Sequence, residues 1–141
     1  MSGWTLDPQL RDDSHPVAML ALCEVRLMDD AHYPWLILVP RIEGAVEVID
    51  LPSPHQQALW SEVALAARAL RNAASPDKLN IATLGNLVPQ LHVHVIARHR
   101  TDPAWPAPVW GAVPPKPYPA QHLKTVVDAL RGALDHGLTL E

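Results

Sequence analysis

The sequence predicts an α+β fold with a mainly antiparallel sheet of about five strands and two main helices. Two segments, far apart in the chain, carry apolar residues at spacings of three and four, which is the helical period. The remaining apolar runs are short and rich in branched residues, as in strands. Strands and helices do not alternate regularly, so a parallel doubly wound sheet is not expected.

The first predicted strands precede the first helix. Val17 to Arg26 is rich in apolar residues and leads into a polar turn at Met28, Asp29 and Asp30. Trp35 to Val39, before Pro40, is a short, continuous and branched run, which predicts a strand buried on both faces. Val46 to Ile49 is expected to extend the sheet.

The first long helix is predicted from about Pro54 to Asn72. Ser53 supplies an N-cap and Pro54 a first-turn proline. Apolar residues then recur at spacings of four and three, at Leu59, Val63, Ala66 and Leu70.

The second half of the chain predicts a hairpin and a C-terminal helix. Lys78 to Leu84 and Leu91 to Ala97 are the predicted strands, joined through a turn at Gly85 and Asn86. From Tyr118 to His136 the apolar residues form one helical stripe, and Gly137 is placed to end that helix.

Composition limits the classes of function. The chain has 141 residues and a formal charge of −4, and we expect one domain over residues 1–141. Its eleven Lys and Arg are scattered, so no nucleic-acid partner is expected. The N-terminus lacks a signal-peptide pattern, no apolar run approaches the ~20 residues of a membrane span, and Cys23 is the only cysteine. We therefore expect a cytoplasmic protein without a membrane partner.

Proline marks one irregular segment, residues 99–119. Seven of the fifteen prolines lie between Pro103 and Pro119, together with Trp105 and Trp110. A segment of this length without regular structure is usually functional or rests on a partner. Arg98 and Arg100, at its start, are expected to be solvated charges at a strand end.

Two histidines lie on one face of the last predicted strand. Because side chains alternate, Gln90, His92, His94 and Ile96 share one face, and the apolar residues between them share the other. Imidazole titrates near neutrality and can act as nucleophile, acid or base. The pattern also fits two structural histidines, or two zinc ligands. No third ligand has a matching spacing, so no metal is expected.

The stretch from Gly85 to Arg98 resembles the signature of the histidine triad (HIT) family, in which three histidines alternate with apolar residues after a Gly-polar-x-Val turn. Pro34 to Arg41 resembles the family's buried strand and the turn that follows, so the similarity covers roughly residues 17–100. The form Gln-x-His-x-His resembles a bacterial subgroup. The resemblance implies a HIT-like fold, a homodimer, a nucleotide or dinucleotide substrate and no cofactor.

The resemblance also implies catalytic roles. His92 corresponds to the nucleophile that attacks the α-phosphorus of a nucleotide and forms a nucleotidyl-histidine. His94 corresponds to the histidine that contacts the phosphate and assists the leaving group. Gln90 takes the place of the first histidine, where a backbone carbonyl orients the nucleophile, and Trp35 takes the place of a fourth.

The expected substrate contacts follow from the same resemblance. Asn86 would hold phosphate oxygens, Asp29 or Asp30 would contact the ribose, and Trp105 would stack on the base. For Trp105 and Trp110, packing in the core or at a subunit interface is favoured over stacking on a base. The replacements at Gln90 and Trp35 leave a second hypothesis open, a catalytically weak nucleotide-binding or interaction protein on the same fold.

Overall fold

A single antiparallel sheet organises the molecule. The computed structural model describes residues 3–140, whose strands are β1 (Ser14–Met19), β2 (Cys23–Met28), β3 (Trp35–Pro40), β4 (Lys78–Ala82) and β5 (Val93–Arg98). They pair in the order β1-β2-β3-β5-β4, and every pairing is antiparallel. The predicted α+β class with about five strands is confirmed.

The prediction of one strand over Val17 to Arg26 is wrong, because the chain turns between β1 and β2. The turn contains neither glycine nor proline, and long-range side chains satisfy its backbone. Arg41 donates to the carbonyls of Leu20 and Ala21, and the Glu62 carboxylate accepts from the amides of Leu22 and Cys23. These partners are remote in sequence, so the local pattern did not reveal the turn.

The prediction of a strand at Val46 to Ile49 is also wrong. Val48–Asp50 forms a 3-10 turn. The Asp50 carboxylate accepts hydrogen bonds from the amides of Val46 and Glu47, at 3.0 and 2.8 Å. A side chain that binds its own neighbouring backbone in this way competes with strand pairing.

Within residues 3–140, three α-helices accompany the sheet: α1 (Pro8–Asp12), α2 (Ser53–Ala74) and α3 (Ala120–Leu140). The short α1 was not predicted, although Asp7 caps it by accepting from the Gln9 amide. The two long helices are confirmed with shifted ends. Among residues 3–140, none of the helices has the length and apolar character that crossing a membrane would require.

Gly137 does not end α3, contrary to prediction. A Cβ at this position would lie 2.6 Å from Leu65 Cδ1 on α2. The glycine therefore permits close packing between α3 and α2, and the helix continues to Leu140.

The sheet is covered on both faces, and this arrangement positions the histidines. Leu91, Val93, Val95 and Ala97 pack into the larger core with α2 and α3, as the alternation of side chains predicts. On the opposite face a smaller core joins sheet residues to the N-terminal segment and to residues 99–119; its buried members are Leu10, Tyr33, Trp35, Ile37, Val39, Ile96, Ala104 and Val109. His92 and His94 are on this second face.

Candidate active site

His92 directly precedes strand β5 and His94 lies in it; the two are here called the histidine pair. Their rings are 4.9 Å apart between centroids and meet edge to face. Both are buried, with 6% and 4% of their surface exposed. Strand alternation therefore brings two imidazoles together on one face, as the sequence predicts.

The backbone of Gln90 fixes the protonation of His92. His92 Nδ1 lies 2.7 Å from the Gln90 carbonyl oxygen, and a carbonyl can only accept a hydrogen bond. Nδ1 must therefore carry the proton, which leaves a lone pair on Nε2. This is the state that a nucleophilic imidazole requires.

The side chain of Gln90 has a different role. Its Oε1 accepts from the Asp7 amide at 2.8 Å, and its Nε2 donates to the Thr5 carbonyl at 2.9 Å. The glutamine thus joins the chain just before β5 to the N-terminal segment. The amide of Gln90 carries its donor and its acceptor on neighbouring atoms at the end of the side chain, so both can reach the same segment. The donor and acceptor of an imidazole lie on opposite sides of a rigid ring.

Trp35 fixes the protonation of His94. The indole Nε1 of Trp35 lies 3.0 Å from His94 Nδ1. An indole nitrogen can only donate, so Nδ1 must be the acceptor and the proton of His94 must be on Nε2. Burial, and secondarily the charge of His92, lowers the pKa of His94 to about 3. His94 is therefore neutral at pH 7 and presents a hydrogen-bond donor.

Trp110 brings the proline-rich segment to the histidine pair. Its ring meets His94 edge to face at 5.0 Å and Trp35 at 5.7 Å. Trp35 and Trp110 are also part of the wall of a neighbouring cleft of about 370 Å³, within the size range of small-ligand pockets. We call it the acidic cleft, because four carboxylates line it: Asp12, Asp13, Asp29 and Asp30.

Comparison with known proteins identifies the family. The family model described as the HIT domain matches residues 10–101. The chain belongs to the HIT family. None of the curated proteins matches it.

Three solved structures resemble this HIT chain over nearly its whole length. A histidine triad protein from Bradyrhizobium japonicum is 47% identical, with a TM-score of 0.91, over 93% of this chain and 98% of that one. One from Sinorhizobium meliloti is 44% identical, with a TM-score of 0.92, over 94% and 98% of the two chains. One from Marinobacter aquaeolei is 42% identical, with a TM-score of 0.91, over 94% and 97%.

The two predicted ribose contacts of this HIT chain line the acidic cleft and also hold residues 99–119 in place. Asp29 Oδ1 accepts from the Tyr118 amide at 2.9 Å, and Asp30 Oδ1 accepts from the Lys116 amide at 3.2 Å. Within residues 3–140 the Oδ2 atom of neither aspartate has a hydrogen-bond partner. Each carboxylate therefore keeps an acceptor for a ligand hydroxyl.

Two other residues of this HIT chain that were predicted to contact the substrate lie outside the acidic cleft. Asn86 is exposed in the connection between β4 and β5 and does not line the cleft. Trp105 lies with its ring 5.7 Å from the Arg98 guanidinium and does not line the cleft either. Trp110 is the tryptophan that contacts the histidine pair, and its position in sequence alone did not distinguish it from Trp105.

Arg98 is not a solvated charge, contrary to expectation. It is 2% exposed, and its guanidinium makes two hydrogen bonds to the Asp102 carboxylate, at 2.8 and 3.0 Å. Burial raises the pKa of Asp102, but hydrogen bonds from Arg98 and from the amides of His99 and Trp105 lower it overall. This buried pair anchors residues 99–119 to the end of β5.

The geometry of the histidine pair does not suit a zinc site. Zinc in proteins takes three or four side-chain ligands, and ligating imidazoles bind through a nitrogen lone pair. Both Nδ1 atoms are engaged, and His94 Nε2 carries a proton. Residues 3–140 contain no group of three His, Cys, Asp or Glu side chains placed to hold a metal ion.

Proposed function

We propose that this HIT protein is a hydrolase or nucleotidyl transferase that acts at a nucleoside α-phosphate through a nucleotidyl intermediate on His92. One observation carries the proposal. The Gln90 carbonyl holds the Nδ1 proton of His92, so that its Nε2 lone pair is free beside the Nε2 proton of His94. A nucleophile and a hydrogen-bond donor for a phosphoryl oxygen are thereby adjacent.

The negative charge of the acidic cleft favours binding of the nucleoside over binding of the phosphate groups. Four carboxylates would repel phosphate groups, but their oxygens can accept hydrogen bonds from ribose hydroxyls. Apolar side chains, including Met28, Val109 and Trp110, supply surface for a base. The nucleoside would thus occupy the cleft and its α-phosphate would lie at the histidine pair.

The test is release of nucleoside monophosphate from a diadenosine polyphosphate and from an adenosine phosphoramidate at neutral pH. We expect wild type to release product from at least one of them and His92→Ala to lose the activity by at least about 1000-fold, since it removes the nucleophile. His136→Ala removes an exposed histidine on α3 and should retain full activity. Equal rates for wild type and His92→Ala would refute the proposal.

A second candidate is a nucleotide-binding or interaction protein with little turnover. Gln90 favours it, because its side chain binds the N-terminal segment and gives no imidazole to support His92. Such a protein would bind nucleoside monophosphate, as calorimetry can show, without any hydrolysis that depends on His92.

We also propose that the chain works in the cytoplasm as a homodimer. Strand β4 is an edge strand, and such edges pair readily with another chain. Ile81, Leu84 and Leu87 on and after it are exposed, Leu87 by 96%. A mass of twice 15.5 kDa by light scattering would be the expected result.

A further inference from the structure

Trp35 stands out because it combines two properties at the reacting centre. It is buried in β3, and the one polar atom of its side chain, Nε1, donates a hydrogen bond to His94, the neighbour of the proposed nucleophile. An imidazole in this place could either accept or donate, and so would leave both tautomers of His94 available. An indole allows only one.

Apart from His92, no titratable residue among those described is in ring contact with His94. On β3 it pairs with Ile37 and contacts Trp35; on β4 it pairs with Ala82. Trp110 covers its other side. Among the residues described, His92 is the only titratable group whose ring contacts it.

We propose that Trp35 is a positioning residue that holds His94 as a neutral donor, and that the site therefore prefers substrates whose leaving group departs as a stable anion, namely phosphoanhydrides, over phosphoramidates. This inference rests on the proposed function. The proton on Nε2 can be shared with a phosphoryl oxygen, as a neutral imidazole does in other enzymes. It cannot be given away, because its loss would leave an imidazolate.

In the first step, the two substrate classes differ in whether the leaving group needs a proton. The Nε2 lone pair of His92 forms a bond to the α-phosphorus, and the bond from phosphorus to the leaving group breaks. In a phosphoanhydride the electron pair leaves with the bridging oxygen as a phosphate anion, which is stable because the second phosphate pKa is about 6. In a phosphoramidate the pair goes to nitrogen, which needs a proton that His94 does not supply.

The second step requires no acid either. Water attacks the α-phosphorus of the nucleotidyl-His92, the bond from phosphorus to nitrogen breaks, and the electron pair returns to Nε2. The water proton passes to solvent. His92 keeps its Nδ1 proton on the Gln90 carbonyl throughout.

The first arm of the test measures the tautomer directly. Nitrogen-15 NMR of the histidine rings distinguishes protonated from bare nitrogens. We expect His94 to carry its proton on Nε2 only, from pH 5 to pH 8, and Trp35→Phe to lose this single pattern. A wild-type His94 with a proton on Nδ1, alone or with a second on Nε2, would overturn the inference. This arm does not depend on activity.

The second arm measures leaving-group dependence with nucleoside 5′-aryl phosphates whose phenols differ in acidity. We expect the wild-type kcat to fall steeply as the phenol becomes more basic, and kcat for a diadenosine polyphosphate to exceed that for an adenosine phosphoramidate by at least about 100-fold, the usual worth of a general acid. Trp35→His, which restores an imidazole, should reduce that ratio at least about 10-fold.

The outcomes separate the two proposals. If wild type hydrolyses both substrate classes with a ratio below 100, or if Trp35→His leaves the ratio unchanged, the inference fails while the proposed function stands. If no substrate is cleaved in a His92-dependent manner, the proposed function fails, and the NMR arm alone decides whether Trp35 holds the tautomer.

Discussion

At the scale of single residues, His92 and His94 acquire opposite roles from opposite partners. A carbonyl, which accepts, leaves His92 with a free lone pair, and an indole, which donates, leaves His94 with an outward proton. The two histidines are two residues apart, the same spacing as core residues on one face of a strand. The difference between them is a property of their neighbours, so it has consequences that can be measured on each residue separately.

The burial of His94 makes the stability of the fold depend on pH. Its pKa is about 3 in the folded protein, against an ordinary value of 6.5. The unfolded chain therefore binds a proton below about pH 6.5 that the folded chain refuses, and stability falls as the pH drops towards 3. We expect a loss of up to about 1.4 kcal/mol per pH unit in this window.

Denaturant unfolding at pH 7, 5 and 4 measures this effect. His94→Gln keeps an acceptor for Trp35 and removes the titrating ring, so its unfolding free energy should change less with pH than that of wild type. His136→Ala, an exposed control, should follow wild type. Parallel pH profiles for His94→Gln and wild type would contradict the assignment.

Gln90→Ala separates the side chain of Gln90 from its backbone. The substitution removes two hydrogen bonds to the N-terminal segment, at about 0.5–1.5 kcal/mol each, and leaves the carbonyl on His92. Because Asp12 and Asp13 of that segment line the acidic cleft, we expect KM to rise several-fold and kcat to change little. A large fall in kcat at unchanged KM would instead place the amide in the chemical step.

The sequence predicted the residues of the site better than their interactions. Spacing placed His92 and His94 on one face of a strand, because alternation on a strand is a local property. The resemblance pointed to Asp29 or Asp30, and the roles of all four residues stay predictions. The Trp35 indole bond joins residues 59 positions apart, and the Gln90 bonds join residues more than 80 apart. Contacts between such distant residues depend on the strand order, which no local pattern contains.

At the scale of elements, the segment 99–119 owes its position to buried charge. Arg98 and Asp102 form a hydrogen-bonded pair that lies under the Tyr33 and Trp105 rings. From the sequence, Arg98 was expected to be solvent-exposed at a strand end. Its burial was not predictable because residues 99–119, which cover it, have no regular hydrophobic period. Proline content predicted an irregular segment correctly but not the face on which it packs.

The buried pair of Arg98 and Asp102 can be tested with Asp102→Asn, with an exposed ion pair of the same spacing as the control. Breaking a buried ion pair costs about 3–5 kcal/mol, whereas an exposed pair contributes about 0–1 kcal/mol. Lys124 and Asp128 have the same spacing of four residues but are exposed. We expect Asp102→Asn to lower the free energy of unfolding by several kcal/mol and Asp128→Asn to leave it nearly unchanged. Similar losses in both variants would show that burial of the pair is not what matters.

At the scale of the whole molecule, the two faces of the antiparallel sheet have different roles. Its first face carries the larger core and both long helices, and its second face carries the histidine pair under the N-terminal segment and residues 99–119. The sequence predicted the sheet and the helices because their periods are strong over many residues. It did not predict the β1–β2 turn or the close approach at Gly137, which depend on contacts with residues remote in sequence. It did not predict α1 either, because five residues are too few to show a helical period.

The most direct test of the account is to find where the nucleotide is held during turnover. Wild-type protein is mixed with a diadenosine polyphosphate, quenched in alkali at a series of short times, digested and mapped by mass spectrometry. The account predicts a nucleoside monophosphate adduct on His92 and on no other residue. Product release with no adduct on His92 at any time, or with an adduct elsewhere, would contradict it.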